Sequence, residues 1–155
     1  MTITTQPLEY ITIVDDAGRR KRQRVEYAVE DVKGEIVYVT REGLQYTRDA
    51  LRRKRHYSLL ERLDVIPGVL AHPDIVIWDP DRKDTLLYYR RIYFPSVWQY
   101  ALICAVIKVR EGIKFLYNSF IQQSGKVKGH DVISAPVIKI WYIHPRKRPK
   151  QFGIR

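Results

Sequence analysis

Three strand-like runs follow one another closely in the second half of the chain, and they constrain the fold more than any other feature. The runs span residues 86–94, 100–109 and 114–121, with only a few residues between them. Their alternating and β-branched composition predicts neighbouring strands of one mainly antiparallel sheet. A helix-like segment that ends in His72-Pro73-Asp74-Ile75-Val76 precedes them.

The N-terminal part of the chain predicts a β-hairpin within residues 8–40. Residues 10–14 and 24–29 are strand-like, and Asp15-Asp16-Ala17-Gly18 between them supplies turn-forming residues. Residues 36–40 predict a third strand, and residues 137–143 predict a last strand near the C-terminus.

Helical signals lie between these two groups of strands. Thr47 is a favourable N-cap, and Asp49 follows it in the first turn. Ser58 opens an S-x-x-E capping box that predicts a second helix start. Pro67 is expected to break that segment and open another short helix, and Pro73 is expected to end it near His72.

The order of elements predicts the fold class α+β, with a mainly antiparallel sheet and short helices packed on one face. The opposite face of the sheet would then be free for a ligand. We expect one domain over residues 1–143 that opens with the hairpin. Residues 144–155 are basic and rich in proline, which predicts a mobile tail.

The net charge of +11 and the isoelectric point near 9.8 favour a polyanionic partner, with nucleic acid ahead of an anionic membrane surface. Twelve cationic side chains are predicted to contact nucleic acid: Arg19, Arg20, Lys21, Arg22, Arg52, Arg53, Lys54, Arg55, Arg91, Arg146, Lys147 and Arg148. The first group could instead protect a strand edge, and the second could be a solvated helix face.

The remaining bulk features predict a cytoplasmic protein that does not enter a membrane. Cys104 is the only cysteine and lies in an apolar run, so a buried, inert thiol is expected. The first residues lack the pattern of a signal peptide, and no apolar run approaches the length of about 20 residues that crosses a bilayer.

No metal and no cofactor are predicted. The acidic residues at 79–84 do not satisfy an EF-hand, since its positions 6 and 12 would be Asp84 and Arg90. The four histidines lack zinc-ligand spacing. A metal nuclease motif built from Asp74, Asp81 and Lys83 has little support, because its second half falls in a turn.

Metal-free cleavage of RNA needs a general base, a general acid and cations around the phosphate. His72 is a candidate acid or base, because histidine titrates near neutrality; it could equally be a helix-terminal residue that interacts with the dipole. Arg90 and Arg91 are consecutive in a strand and must point to opposite faces, so only one can meet a ligand. Lys108 could face substrate or mark the wet end of its strand.

The order of these motifs resembles the Barnase–EndoU–colicin–RelE-like superfamily of small ribonucleases, and most closely its phage-associated branch. The resemblance covers residues 72–121: a helix ending in His-Pro-Asp-Ile-Val, a Tyr/Arg strand, a hydrophobic strand ending in Lys, and a strand with a small hydroxyl. It implies a compact helix-plus-sheet fold that cleaves RNA without metal. The implied catalytic residues are His72, Arg90, Lys108 and Ser119, assisted by Tyr89 or Tyr117.

The first functional hypothesis is therefore a metal-independent, toxin-like endoribonuclease that attacks RNA at the 2′-OH. The alternative is a non-catalytic RNA- or DNA-binding module, or a structural protein of a virus or mobile element. RNA is the expected partner, with DNA as a variant of the same chemistry. An antitoxin or another protein partner would accompany a toxin.

Overall fold

The computed structural model describes residues 3–4, 9–130 and 138–154. Nine strands in these residues form one sheet: β1 Ile3–Thr4, β2 Tyr10–Val14, β3 Arg20–Glu30, β4 Ile36–Thr40, β5 Ile75–Trp78, β6 Thr85–Phe94, β7 Gln99–Arg110, β8 Ile113–Gln122 and β9 Ile140–Ile143. Their order is β1-β3-β4-β8-β7-β6-β5-β9, and β2 pairs with β3 as the predicted hairpin. Only the short β4–β8 contact is parallel. The fold class is thus α+β, as predicted.

Three α-helices lie between β4 and β5: α1 Arg41–Lys54, α2 Tyr57–Leu60 and α3 Ile66–Ala71. The predicted N-cap at Thr47 is wrong. Helix α1 begins about two turns earlier, because extended Thr40 accepts a 3.0 Å hydrogen bond from the backbone N–H of Gly43 through Oγ1. Thr47 is a buried residue within the helix.

The short helices follow the proline signals better than the capping signal. A helix does restart at this point, with α2 beginning at Tyr57, but the predicted capping box at Ser58 is wrong, because the residue before α2 is His56 and makes no side-chain capping bond. Pro67 does lie in the first turn of α3, as predicted. His72 ends that helix, and its N–H donates to the carbonyl oxygen of Gly68 at 2.9 Å.

The sheet has a buried core on each face. On the first, the helix face, residues of α1 and α3 such as Leu51 and Leu70 pack against Ile103, Ala105 and Ile107 of β7. A second core lies on the opposite face, and its buried members are Ile75, Ile77, Leu87, Tyr89, Leu102, Cys104, Val106, Val127, Phe152 and Ile154. The expectation of an open sheet face is therefore wrong over this central region.

The second core is closed by the C-terminal cover, which we define as residues 122–130 and 144–154. Phe152 is 2% exposed and Ile154 is 9% exposed. The N–H of Val127 donates to the carbonyl oxygen of Phe152 at 3.0 Å, which joins the two parts of the cover. The predicted mobile tail is thus an ordered part of the domain over these residues, because two apolar anchors outweigh the basic residues around them.

The last strand is shorter than its sequence pattern indicates. Strand β9 begins at Ile140 and pairs antiparallel with β5. Residue 137, where the pattern begins, lies outside the described residues. In the described part of the chain, no helix has the length and apolar character needed to cross a membrane.

Candidate nucleic-acid interface

The six side chains predicted as catalytic do not form one site. Arg90 lies on the helix face, where its Nη1 donates to the carbonyl oxygen of Gly68 in α3 at 3.2 Å. Lys108 lies on the other face of the sheet. Arg90 is paired with Ile103 and Lys108 with Thr85, and the two pairs are an odd number of residues apart along the strands, so their side chains point to different faces. Along the paired strands, the two residues are five residue positions apart, or about 17 Å.

Two other predicted catalytic residues are buried by structural contacts. Tyr89 belongs to the second core, and its hydroxyl accepts a 3.1 Å hydrogen bond from the backbone N–H of Lys128. Burial raises the pKa of Tyr89 far above its ordinary value. Ser119 is fully buried and donates to the carbonyl oxygen of Cys104 at 2.7 Å. Neither side chain is accessible to a phosphate.

Lys108 and Tyr117 do lie together, at the end of the sheet that carries the β2–β3 turn. Nζ of Lys108 is 4.9 Å from the centre of the Tyr117 ring and donates to Oγ1 of Thr85 at 3.1 Å. Burial lowers the pKa of Lys108, and Asp16 opposes that effect. The phenol of Tyr46 and partial burial raise the pKa of Tyr117.

His72 lies at the other end of the sheet, where β6 and β7 approach their connecting hairpin. Its side chain is exposed at the end of α3. Desolvation and the positive charge of Arg90 lower the pKa of His72, which favours the neutral imidazole. Of the other residues predicted as catalytic, only Arg90 lies near His72. Lys108, Tyr117, Tyr89 and Ser119 are separated from it.

At this end, one row of directly paired residues, which we call the Arg91 rung, crosses three strands. Arg91 in β6 pairs with Leu102 in β7, and Leu102 pairs with Gln122 in β8. Arg91 and Gln122 are therefore two strand spacings, or about 10 Å, apart. The side chain of Arg91 is exposed, whereas Arg90 is held against α3. Arg91, and not Arg90, is thus available to a ligand on the outer surface.

The C-terminal end of α1 reaches the β8 side of the same rung. Nζ of Lys54 lies 5.0 Å from the ring centre of Phe120 in β8. Nε2 of His56 lies 3.2 Å from Nε2 of Gln123, the residue that follows β8. The exposed run Arg52, Arg53, Lys54 and Arg55 therefore lies beside Gln122.

The basic part of the C-terminal cover reaches the β6 side of the rung through Asp74. Oδ2 of Asp74 accepts a 2.8 Å hydrogen bond from the N–H of Arg91. The carbonyl oxygen of Asp74 accepts one at 2.9 Å from the N–H of His144. His144 in turn binds the N–H groups of Arg146, through Nδ1, and of Lys147, through its carbonyl oxygen.

Three of the four predicted cationic groups thus meet at one end of the sheet, which we call the basic end. Its cations are Arg52, Arg53, Lys54, Arg55, Arg91, Arg146, Lys147 and Arg148. Among the described residues, Arg52 forms an ion pair with Asp49 at 3.5 Å, and the other seven have no carboxylate within ion-pair distance. Cations without carboxylate partners retain their full attraction for phosphate.

Exposed aromatic rings project from the basic end at the tip of the β6–β7 hairpin. Trp98 is 84% exposed and has left-handed backbone angles of φ 54° and ψ 39°, which are strained for a bulky residue. The rings of Tyr93 and Tyr100 lie 5.0 Å apart and are both exposed. Tyr93 lies two residues from Arg91 on the same face of β6.

The fourth cationic group lies at the opposite end of the sheet and is largely paired. Arg19 and Lys21 contact Asp15 at 3.0 and 3.5 Å. Arg20 makes a bidentate contact with Glu111. Arg22 lies over the ring of Tyr10, with Cζ 4.2 Å from its centre. The interpretation of this strand as a protected edge fits these contacts better than a phosphate-binding ribbon.

A charge asymmetry along the chain could have identified the later half of the basic end, Arg91 and residues 146–148, from the sequence, but not residues 52–55. Residues 1–84 contain 15 Lys and Arg and 15 Asp and Glu, whereas residues 85–155 contain 13 and 2. The whole excess of +11 therefore belongs to the second part. Residues 85–110, which form the β6–β7 hairpin, contain no acidic residue.

Within the described ranges, no group of three His, Cys, Asp or Glu side chains is arranged to bind a metal ion. No protein-family model, curated protein or solved structure matches this chain. The likeness to the Barnase–EndoU–colicin–RelE-like superfamily therefore remains a prediction from the sequence motifs.

Proposed function

We propose that this protein binds single-stranded RNA across the basic end of its sheet. The convergence of α1, the Arg91 rung and the basic cover on one surface is the observation that carries the proposal. Phosphates would contact the seven cations that have no ion-pair partner in the described part of the chain. Unpaired bases would stack on the exposed rings of the hairpin tip. A cytoplasmic site of action is part of this proposal, since RNA is the partner.

The aromatic tip is the reason to propose a single strand and not a duplex. Bases in a duplex are already stacked, whereas unpaired bases can lie against aromatic side chains, with about 1–3 kcal/mol per base. Trp98 combines high exposure with a strained backbone, and both features cost stability in the unbound protein. A stacked base would cover this ring.

Fluorescence anisotropy with a labelled oligouridylate tests the proposal. We expect salt-sensitive binding by the unmodified protein, weaker binding by Arg91→Gln and by Trp98→Ala, and weak competition by duplex RNA. Arg22→Gln is the matched control, because it removes the same charge at the opposite end of the sheet. Equal losses in Arg22→Gln and Arg91→Gln would mean that net charge, and not this surface, attracts RNA.

Metal-independent cleavage of the bound RNA is the second candidate function. The observation that favours it is the exposure of His72 at the same end of the sheet, where its lowered pKa favours the neutral imidazole. A neutral imidazole can accept the 2′-OH proton. The 2′-oxygen then bonds to phosphorus, the bond to the 5′-oxygen breaks, and a proton donor neutralises that oxygen. Arg91 is exposed at the same end of the sheet and is the proposed phosphate contact.

Incubation of labelled RNA with the protein in EDTA separates the two candidates. Cleavage that is lost in His72→Ala, and that spares a DNA oligonucleotide without a 2′-OH, supports catalysis. Intact RNA with retained binding supports a binding protein alone. Cleavage that persists unchanged in His72→Ala would place the chemistry elsewhere.

A further inference from the structure

A cleft lies at the end of the sheet opposite to the basic end, and the proposed RNA contact does not use it. We call it the Lys108 cleft. Its volume is about 410 Å³, which is within the range of small-molecule sites. The β2–β3 hairpin, the first turns of α1 and the ends of β7 and β8 form its walls. The residues used below are Asp16, Tyr46, Lys108, Arg110 and Tyr117.

Three cations, two from the end of β7 and one from the β5–β6 loop, converge on one carboxylate at this cleft. Nη2 of Arg110 is 2.5 Å from Oδ1 of Asp16, and Nζ of Lys108 is 3.5 Å from the same oxygen. Nη1 of Arg82, which lies beside the cleft and not in its lining, is 4.0 Å from Oδ2. One carboxylate therefore neutralises one of three positive charges.

Two of the three cations, Lys108 and Arg110, are buried or largely buried and have other contacts, whereas the carboxylate is exposed. The Lys108 side chain is 1% exposed and is fixed by Thr85, and Arg110 also donates to the carbonyl oxygen of Val14 at 2.9 Å. The Asp16 side chain is 53% exposed on a tight turn that ends at Gly18. A buried ammonium needs an anion, and an exposed turn residue is easily displaced.

The cleft also has an aromatic wall next to the cations. The rings of Tyr46 and Tyr117 have centres 5.2 Å apart, and Tyr46 is 44% exposed. The other two carboxylates that line the cleft have partners of their own. Asp15 contacts Arg19 and Lys21, and Glu42 accepts from the N–H of Arg24.

We propose that the Lys108 cleft binds the phosphate monoester of a nucleotide, with Asp16 as the internal group that the phosphate replaces. A phosphate carries more charge than a carboxylate and more oxygen atoms to accept hydrogen bonds, so it matches three cations better. The nucleobase would stack on the exposed ring of Tyr46.

Calorimetric titration with adenosine monophosphate, inorganic phosphate and adenosine tests this proposal. Asp16→Asn removes the competing charge and retains an oxygen acceptor, so we expect about tenfold tighter binding of the nucleotide, equivalent to about 1.4 kcal/mol. Inorganic phosphate should bind more weakly than the nucleotide, and adenosine should bind least. Failure of Asp16→Asn to bind the nucleotide, or binding no tighter than in the unmodified protein, overturns the proposal.

Lys108→Met should abolish nucleotide binding, but this variant could fail to fold. Arg82→Gln avoids that difficulty, because Arg82 is half exposed and its nearest contact to Asp16 is 4.0 Å. We expect Arg82→Gln, placed in the Asp16→Asn background, to weaken nucleotide binding without changing the melting temperature. Arg22→Gln, which removes the same charge outside the cleft, should leave binding unchanged. Equal effects of the two Arg variants would contradict a defined site.

The phosphate could belong to a free nucleotide or to the end of an RNA chain. Oligouridylates with a 5′-phosphate and a 5′-hydroxyl group distinguish these sources in an Arg91→Gln background, where the proposed RNA surface is weakened. A preference for the 5′-phosphate that Asp16→Asn increases assigns the cleft to RNA ends. Binding of adenosine monophosphate without such a preference assigns it to free nucleotides. Because this site is separate from the basic end, its failure would leave the proposed RNA surface intact.

Discussion

Arg90 and Arg91 are adjacent in β6, yet Arg90 is bound to the carbonyl oxygen of Gly68 under the helices and Arg91 is exposed on the opposite face. A strand alternates the direction of its side chains, so the two guanidinium groups serve different purposes. Arg90 joins α3 to the sheet, and Arg91 is available to a polyanion.

Substitution of these two residues should therefore have different effects. Arg91→Gln should weaken RNA binding and reduce the slope of log K against log salt by about 0.7, the value for one phosphate contact with a single strand. Arg90→Gln should leave that slope unchanged and lower the free energy of unfolding by about 1 kcal/mol. Anisotropy over a salt series and urea denaturation measure the two effects. A change in slope for Arg90→Gln alone would contradict the assignment.

A buried ion pair near β8 should make Lys114 essential for stability. Nζ of Lys114 is 2.6 Å from Oδ2 of Asp31 and 2.7 Å from the Tyr88 hydroxyl, and the Asp31 side chain is fully buried. Lys114→Met leaves a buried carboxylate without its cation, so we expect a loss of about 3–5 kcal/mol in urea denaturation.

Glu35→Gln is the control for this network, because Glu35 contacts the same ammonium but its side chain is 54% exposed. We expect a loss of less than about 1 kcal/mol for this exposed partner. A small effect of Lys114→Met would mean that Asp31 finds other partners or takes up a proton.

Phe152 should stabilise the domain although it lies in the basic C-terminal segment. Phe152→Ala removes a buried ring from the second core, and we expect a loss of about 3–5 kcal/mol in unfolding free energy. Lys150→Ala, an exposed change two residues away, should stay within about 0.5 kcal/mol. Equal stability of the two variants would restore the interpretation of a mobile tail.

Two helical glycines should respond oppositely to alanine. A Cβ at Gly43 would lie 2.6 Å from the carbonyl oxygen of Leu116, so α1 would have to move away from β8. We expect Gly43→Ala to cost about 1–3 kcal/mol. A Cβ at Gly68 would meet its nearest atom at 3.5 Å, which is an ordinary contact. Gly68→Ala should be neutral or stabilising by up to about 1 kcal/mol, because alanine favours helix. Thermal unfolding of both variants tests the close approach.

The pKa of His72 should lie below its ordinary value of 6.5, and NMR titration of the imidazole measures it. The neutral form is favoured in the folded protein, so its contribution to stability is present above pH 6.5 and is lost as the pH falls through the folded pKa. Arg90→Gln should raise the pKa of His72 towards 6.5. RNA affinity should increase as the pH falls through the same value, because protonation adds a cation to the basic end. A pKa above 6.5 would contradict this arrangement.

Local patterns were sufficient for most of the fold. The alternation of side chains along β7 is enough to put Ala101, Ile103, Ala105 and Ile107 on one face, and these residues pack towards the helices. The break at Pro67 was also correct. The start of α1 was missed because Glu42 and Gly43 indicate a turn in isolation, and only contact with β8 shows why a glycine is required in the first helical turn.

The predicted catalytic residues come from segments that follow one another in the sequence. In the folded sheet, these residues lie at different ends and on different faces. Lys108 lies at the opposite end from His72, and Ser119 and Tyr89 are buried. The Lys108 cleft was missed because Asp16 and Tyr46 lie far from Lys108 along the chain. The sequence carries one unused signal for the basic end, the scarcity of acidic residues after position 84.

The sequence alone establishes the strands, their alternating faces, the antiparallel α+β class and the size of the positive charge, since each depends on residues close together in the chain. The tertiary structure decides which cations act together. Arg55, Arg91 and Arg146 are distant in sequence, and strand register together with the packing of α1 and the cover brings them to one end of the sheet. Charge is additive along the chain, but attraction for a phosphate depends on distances in space, and only the register of the sheet sets those distances.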